Sequence, residues 1–286
     1  MKLNLNQISS LAAPLRLTLF ILMLLGLWLP FALPLYLLGT DPNTVSIITL
    51  ILLYLEFIAL VRFWGKRIYH QPRLFQRYGL YLNLQSVWLL LQGLGWGCLS
   101  LLSLFALEAQ LGWLTWSADL QQFPLVIGSG LGVALGVGFA EELLFRGWLL
   151  DELRRDYSPI KAAAICSEIF AIAHFIKPLS EILRTWPQFP GLILLGYILI
   201  LAKSVNRSKS QQLAVSSENL ALPMGLHGGL VWGYYLMSVG GKVEYLGKVP
   251  DWILGIDYNP LAGLMGLMFL SAIAIIIKYK LRSQRY

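Results

Sequence analysis

The chain reads as an all-α polytopic membrane protein with about eight transmembrane helices and both termini in the cytoplasm. Three observations predict this. Of 286 residues, 57% are hydrophobic and 13% charged, and the mean hydropathy is +0.66; a soluble domain cannot hide that much apolar surface. Apolar runs of about 17–25 residues, the length that crosses a hydrocarbon core, recur near 14–37, 44–64, 82–107, 123–148, 160–177, 189–203, 220–239 and 260–278. The basic residues also sort by side. Lys2, Arg16, Arg62, Lys66, Arg67, Arg73, Arg77, Arg154, Arg155, Lys161, Lys203, Arg207, Lys209, Lys278, Lys280, Arg282 and Arg285 fall at one face, 17 against four (Lys177, Arg184, Lys242, Lys248) at the other. That is the positive-inside pattern.

The elements follow in order. The run from Pro14 to Leu37 is too long for a signal-peptide core and lacks a small-residue cleavage site, so it reads as a retained first helix. The second and third runs are long and carry few charges. In the fourth, residues 123–140 hold no charge, and then "EELLFR" follows with Glu141, Glu142 and Arg146. Gly128, Gly132 and Gly136 repeat every four residues there, a spacing that predicts close backbone packing. Asp156-Tyr157-Ser158-Pro159 reads as the turn into the fifth helix, and the charged "DELRRD" before it predicts a turn that stands about 15 Å into the cytoplasm, at the helical rise per residue. The fifth and sixth runs are short and interrupted by polar residues. Trp64, Trp113, Trp116, Trp148, Trp186 and Trp252 lie near helix ends, as in an interfacial aromatic belt. One domain over 1–286 is expected.

Several function classes are disfavoured. The net charge of +7 is largely topological, with a share available to anionic lipid headgroups, so no nucleic-acid partner is expected. Cys98 and Cys166 lie in apolar segments, which leaves no disulfide framework and no thiol-rich zinc site.

The ionisable groups within the spans are Glu56, Glu141, Glu142, Arg146, Glu168, His174 and His227. Each costs about 2.5–3.5 kcal/mol at a helix centre when charged, so such groups face the bundle interior and mark function. Glu142 and Arg146 are four apart and share a face, which predicts an ion pair. Glu141 is rotated by about 100° from Glu142 and is left for other work, and general-base chemistry suits a buried carboxylate. Glu141 lies 17 residues before Ser158 and His174 lies 16 after it. Both are therefore about 24–26 Å from the turn, level with each other in an antiparallel hairpin. The seventh helix enters near Glu218, which puts His227 at about 10–13 Å depth. Three helices thus converge on one level, near the cytoplasmic side. Glu56 and Glu168 have no equivalent partners.

With these residues the chain resembles the CPBP family, the CAAX-protease and bacteriocin-processing (Abi) intramembrane proteases, which include the Ras-converting CAAX prenyl endopeptidase. "EELLFR" matches the family's E-E-x-x-x-R motif, "FAIAH" (Phe170, His174) its F-x-x-x-H motif, and "HGGLV" from His227 part of its H-x-x-x-N motif. The matching core runs over 125–240. The resemblance implies peptide-bond hydrolysis at the membrane by an integral protein of the inner or plasma membrane. Glu141 would activate water with His174 assisting, Glu142 and Arg146 would hold the site, and His227 would help stabilise the oxyanion. Two histidines and a carboxylate would also make a reasonable zinc set with an open position, so a divalent metal and a metal-free mechanism both stay open. Val231 stands where the third motif ends in Asn; Tyr234, on nearly the same face, is the candidate substitute. The expected partners are a peptide or protein substrate at the membrane and the lipid bilayer. Two other readings stand beside the protease: an inert relative that scaffolds a membrane partner, and a proton-coupled transporter, whose relays also use intramembrane acids and histidines.

Overall fold

A computed structural model describes residues 5–117, 123–205 and 218–283. Eight long helices run through them. They are α1 (Ala13–Leu38), α2 (Pro42–Arg67), α3 (Leu84–Gln110), α4 (Phe123–Glu142), α5 (Pro159–Ala173), α6 (Phe189–Lys203), α7 (Ala221–Tyr234) and α8 (Leu264–Ser283). Beyond Glu142, α4 continues through a π-helical stretch, Leu143–Leu149, into Leu150–Arg154, and α7 ends in a second one, Tyr235–Val239. Two short strands, β1 (Leu114–Trp116) and β2 (Val243–Tyr245), pair antiparallel.

The helix starts follow local chemistry. Asp41 caps α2 by accepting the Thr44 N–H, Asn83 caps α3 by accepting from Ser86, and Ser158 caps α5 by accepting from Lys161. Pro42 and Pro159 occupy the first helical positions, where the missing N–H costs nothing.

Six helices are long and apolar enough to cross a membrane: α1, α2, α3, α4 with its extension, α6 with the short helix before it (Leu179–Thr185), and α8. The other two, α5 with 15 residues and α7 with 14, are shorter. They are the two that carry His174 and His227. α7 is the centre of the bundle: all nine residues from Leu222 to Leu230 except Leu230 are buried.

What packs α7 is glycine, though not the glycines the spacing singled out. Gly93 and Gly97 of α3 lie against the backbone of Leu222–Gly225 and Leu226–Gly229, and Gly225 and Gly229 lie against Leu90 and Leu94 in return. The register advances in one direction, so α3 and α7 run parallel at backbone contact. The Gly128, Gly132 and Gly136 stripe instead faces open space. The close packing expected of that stripe is absent, and the face turned inward is the one that bears Gly138, against Met224 and Gly228.

Three further expectations are corrected. The "DELRRD" stretch is not wholly in water, although Asp156, Ser158 and Pro159 of the turn itself are exposed. Asp151 and Glu152 are buried, and Arg16 pairs with Glu152 and Asp156, Arg77 and Arg155 with Asp151, and Arg154 and Lys203 with Glu218. Trp64 and Trp148 are not interfacial; both pack around Phe20 in the core, whereas Trp116, Trp186 and Trp252 are exposed. Glu168 does not face the interior but lies exposed on α5, while Glu56 is half-buried on α2. Lys2, Arg207, Lys209 and Arg285 of the charge tally lie outside the described residues.

Candidate active site

The site is built where α4, α5 and α7 meet beside α6. Glu142 and Arg146, four apart on α4, are fully buried and bonded at 3.0 Å. The same Glu142 oxygen, Oε1, accepts a second hydrogen bond from His227 Nδ1 at 2.9 Å. The carboxylate therefore ties α4 to α7. Arg146 Nη2 donates to the Gly196 carbonyl of α6 at 3.1 Å, and its guanidinium lies 4.2 Å from the Phe170 ring centroid on α5. One arginine thus reaches a carboxylate, a carbonyl and an aromatic face, the kind of fixed, flat contact that lysine could not reproduce.

The π-helical turn contributes to this. A π turn widens the helix and is often found at functional positions. Here the Arg146 carbonyl accepts a bond from Lys203 Nζ at 2.8 Å, and the Phe145 carbonyl accepts from the Cys166 thiol at 3.3 Å. Lys203 was not singled out as a site residue; its position at the end of an apolar run gave only a topological signal.

Glu141 faces the other way, into a cavity of about 240 Å³ whose wall it shares with His174, His227, Val231 and Tyr234. His174 caps the end of α5. Its Nδ1 lies 2.8 Å from the Phe170 carbonyl, and a carbonyl can only accept, so Nδ1 carries the hydrogen and Nε2 is the free nitrogen. His227 Nδ1 likewise donates to Glu142. Both Nε2 atoms then face a single oxygen, Glu141 Oε2, at 3.8 Å and 3.9 Å. Phe170 touches both Arg146 and His174, its ring tilted by 60° to the imidazole at 4.6 Å. All five predicted site residues are thereby brought together, in two layers: Glu142, Arg146 and His227 hold each other, and Glu141, His174 and His227 face the cavity.

The histidine tautomers are those that metal-binding histidines adopt, with Nδ1–H engaged and Nε2 free. Among the described residues, however, no three His, Cys, Asp or Glu side chains stand in a metal-holding arrangement. The donor set as placed does not make a closed metal site, and the chemistry below is derived from the protein's own groups.

Val231 lines the cavity and offers it no polar atom. Tyr234 lines it too, but seven residues beyond His227, about 10 Å further along the axis, beside Tyr245 of β2. Burial raises the Tyr245 hydroxyl well above its ordinary pKa, as do Glu108, which accepts its hydrogen bond at 3.0 Å, and the neighbouring Tyr234. Tyr234 thus belongs to the outer end of the cavity, away from Glu141.

Fold and site together define an integral membrane protein of the helical class, with a buried carboxylate–imidazole centre opening on an apolar cavity. Residues 121–233 match the family model described as type II CAAX prenyl endopeptidase Rce1-like, a protease family. The matched span contains Glu141, Glu142, Arg146, Phe170, His174 and His227. No curated protein and no solved structure matches the chain.

Proposed function

We propose that the protein is an intramembrane endopeptidase that hydrolyses peptide bonds of membrane-associated substrates by a water activated at Glu141. The observation that carries this is the convergence of two imidazole Nε2 atoms, from two helices, within 4 Å of one Glu141 oxygen at the wall of an apolar cavity. A water about 2.8 Å from both Glu141 Oε2 and His174 Nε2 closes a triangle on a 3.8 Å base without strain.

The steps balance on the chain's own groups. Glu141 takes one proton from the water while the oxygen attacks the scissile carbonyl carbon. The His174 lone pair at Nε2 accepts from the second water hydrogen and aims it. As the tetrahedral species collapses, the C–N bond breaks and Glu141 returns the proton to the departing nitrogen, which leaves a carboxylic acid and an amine. His227, held through Nδ1 by Glu142, presents Nε2 to the same pocket beside Glu141. The substrate reaches the cavity between apolar walls such as Leu192, Leu230 and Leu270, which fits a segment delivered from the bilayer.

Purified protein should cleave members of a quenched fluorescent peptide library. Glu141→Gln should lower kcat by about 10²–10⁴-fold, the usual contribution of a general base, with an unchanged melting temperature. Equal cleavage by both proteins would sink the reading. Co-purification of a membrane partner with no cleavage would favour a scaffold, and proton-driven uptake into liposomes a transporter. The protein resides in the inner or plasma membrane with the ion-paired end of the bundle, from Arg16 to Glu218, in the cytoplasm. A cysteine at Lys248 should then be labelled from outside intact cells and one at Ser283 should not; the reverse pattern inverts the topology.

A further inference from the structure

We propose that Asn259 donates a hydrogen bond from its side-chain amide to the carbonyl oxygen of the bond being cut. This rests on the endopeptidase reading above. Besides Glu141 and the two histidines, the polar residues lining the cavity are Ser100, Tyr234 and Asn259. The Ser100 hydroxyl donates to the Gly97 carbonyl at 2.9 Å, and Tyr234 sits at the outer end. Asn259 Oδ1 accepts the Leu261 N–H at 3.0 Å, which fixes the orientation of the amide, and Nδ2 donates to no described residue. Two N–H donors are left free at a cavity wall that Val231 leaves without one.

The depth is right. Gly196 of α6 packs on Ser167 of α5, and Gly191 packs on the Leu261 backbone. From the Gly196 level, Gly191 lies five residues outward, about 7.5 Å. His174 lies seven residues outward from Ser167, about 10.5 Å. Along the bundle axis, the loop that carries Asn259 therefore comes within a helical turn of the level of His174.

The loop is also held there under strain. Asp257 and Tyr258, both non-glycine, have φ of +54° and +56°. Such backbone persists only where the surroundings impose it, and it concentrates at functional positions. Arg184 pairs with Asp257, and the Tyr258 ring stacks on Tyr245 with centroids 3.9 Å apart.

Asn259→Asp keeps the oxygen that caps Leu261 and removes the donors, and Asn259→Ala removes both without adding a charge. Against a library peptide that the wild type cleaves, both should lose about 10²-fold or more in kcat, as for one oxyanion donor, with KM and melting temperature held. Val231→Asn, whose amide would face the same space one turn from His227, should recover part of that loss. Unchanged kcat, or a loss matched by a fall in melting temperature, would overturn the proposal. A readout without turnover separates it from the protease reading. In Glu141→Gln, a bound peptide with a ¹³C-labelled scissile carbonyl should show a lowered stretching frequency that Asn259→Asp abolishes. A frequency indifferent to Asn259 overturns the donor role whether or not the wild type cleaves.

Discussion

At the scale of single residues, the site depends on one carboxylate oxygen that serves two donors. Glu142 Oε1 holds both Arg146 and His227, all three buried. Removing either Glu142 or Arg146 leaves an uncompensated charge where no water can reach it. Arg146→Met should therefore destabilise by about 3–5 kcal/mol, the range for breaking a buried pair from one side. Arg146→Met with Glu142→Gln should recover part of that loss, because no lone charge stays behind. Denaturant unfolding in detergent reads both; an Arg146→Met protein as stable as wild type contradicts the coupling. Glu141, by contrast, is about one-third exposed and its Oε2 hydrogen-bonds to no described residue, which is why its removal tests chemistry more than packing. The i, i+4 pair and the rotation of Glu141 away from it were legible in the sequence because helix geometry is local. That His227 completes the pair was not legible, since it depends on how α7 is rotated.

At the scale of elements, α3 and α7 approach at backbone distance. A Cβ on Gly225 would meet the Leu90 carbonyl oxygen, which belongs to helix backbone and cannot move aside. Gly225→Ala should then part the helices and shift His227, lowering both thermal stability and activity. Gly132→Ala meets nothing within 4 Å and should be neutral or stabilising by about 1 kcal/mol from helix propensity. If the two variants melt alike, α3 and α7 are not packed as described. Periodicity shows that a helix has a small-residue face, but not which neighbour that face meets. Gly128, Gly132 and Gly136 were read as packed for this reason.

At the scale of the whole molecule, a polar cluster closes one end of the bundle. Arg16, Arg77, Arg154, Arg155 and Lys203 meet Asp151, Glu152, Asp156 and Glu218 from α1, the α2–α3 connection, the end of α4, α6 and the entry to α7. Glu218 is the clearest member. Burial alone would raise its pKa, but Lys203 and Arg154 outweigh that and hold it down to about 2. A carboxyl depressed on folding stabilises fully above its unfolded pKa of about 4.5 and loses that contribution as pH falls through the folded value. From 4.5 to about 2, the stabilisation is about 3 kcal/mol. Wild type should exceed Glu218→Gln by about that much above pH 5, and the gap should close between about pH 4.5 and 2. A gap that does not change with pH would remove Glu218 from the cluster's energetics.

The sequence by itself determined the class, the eight helices, the ion pair within α4 and the common level of Glu141, His174 and His227. Each follows from hydropathy, charge asymmetry or a fixed rise per residue, which need no neighbours. Only the tertiary structure decided which glycines touch, that Asp151 and Glu152 are buried among cations, that Trp64 and Trp148 are core, and that Asn259 reaches the cavity from a loop outside every motif. Those depend on helix rotation and on segments 44 to 140 residues apart meeting in space, and no local period encodes them.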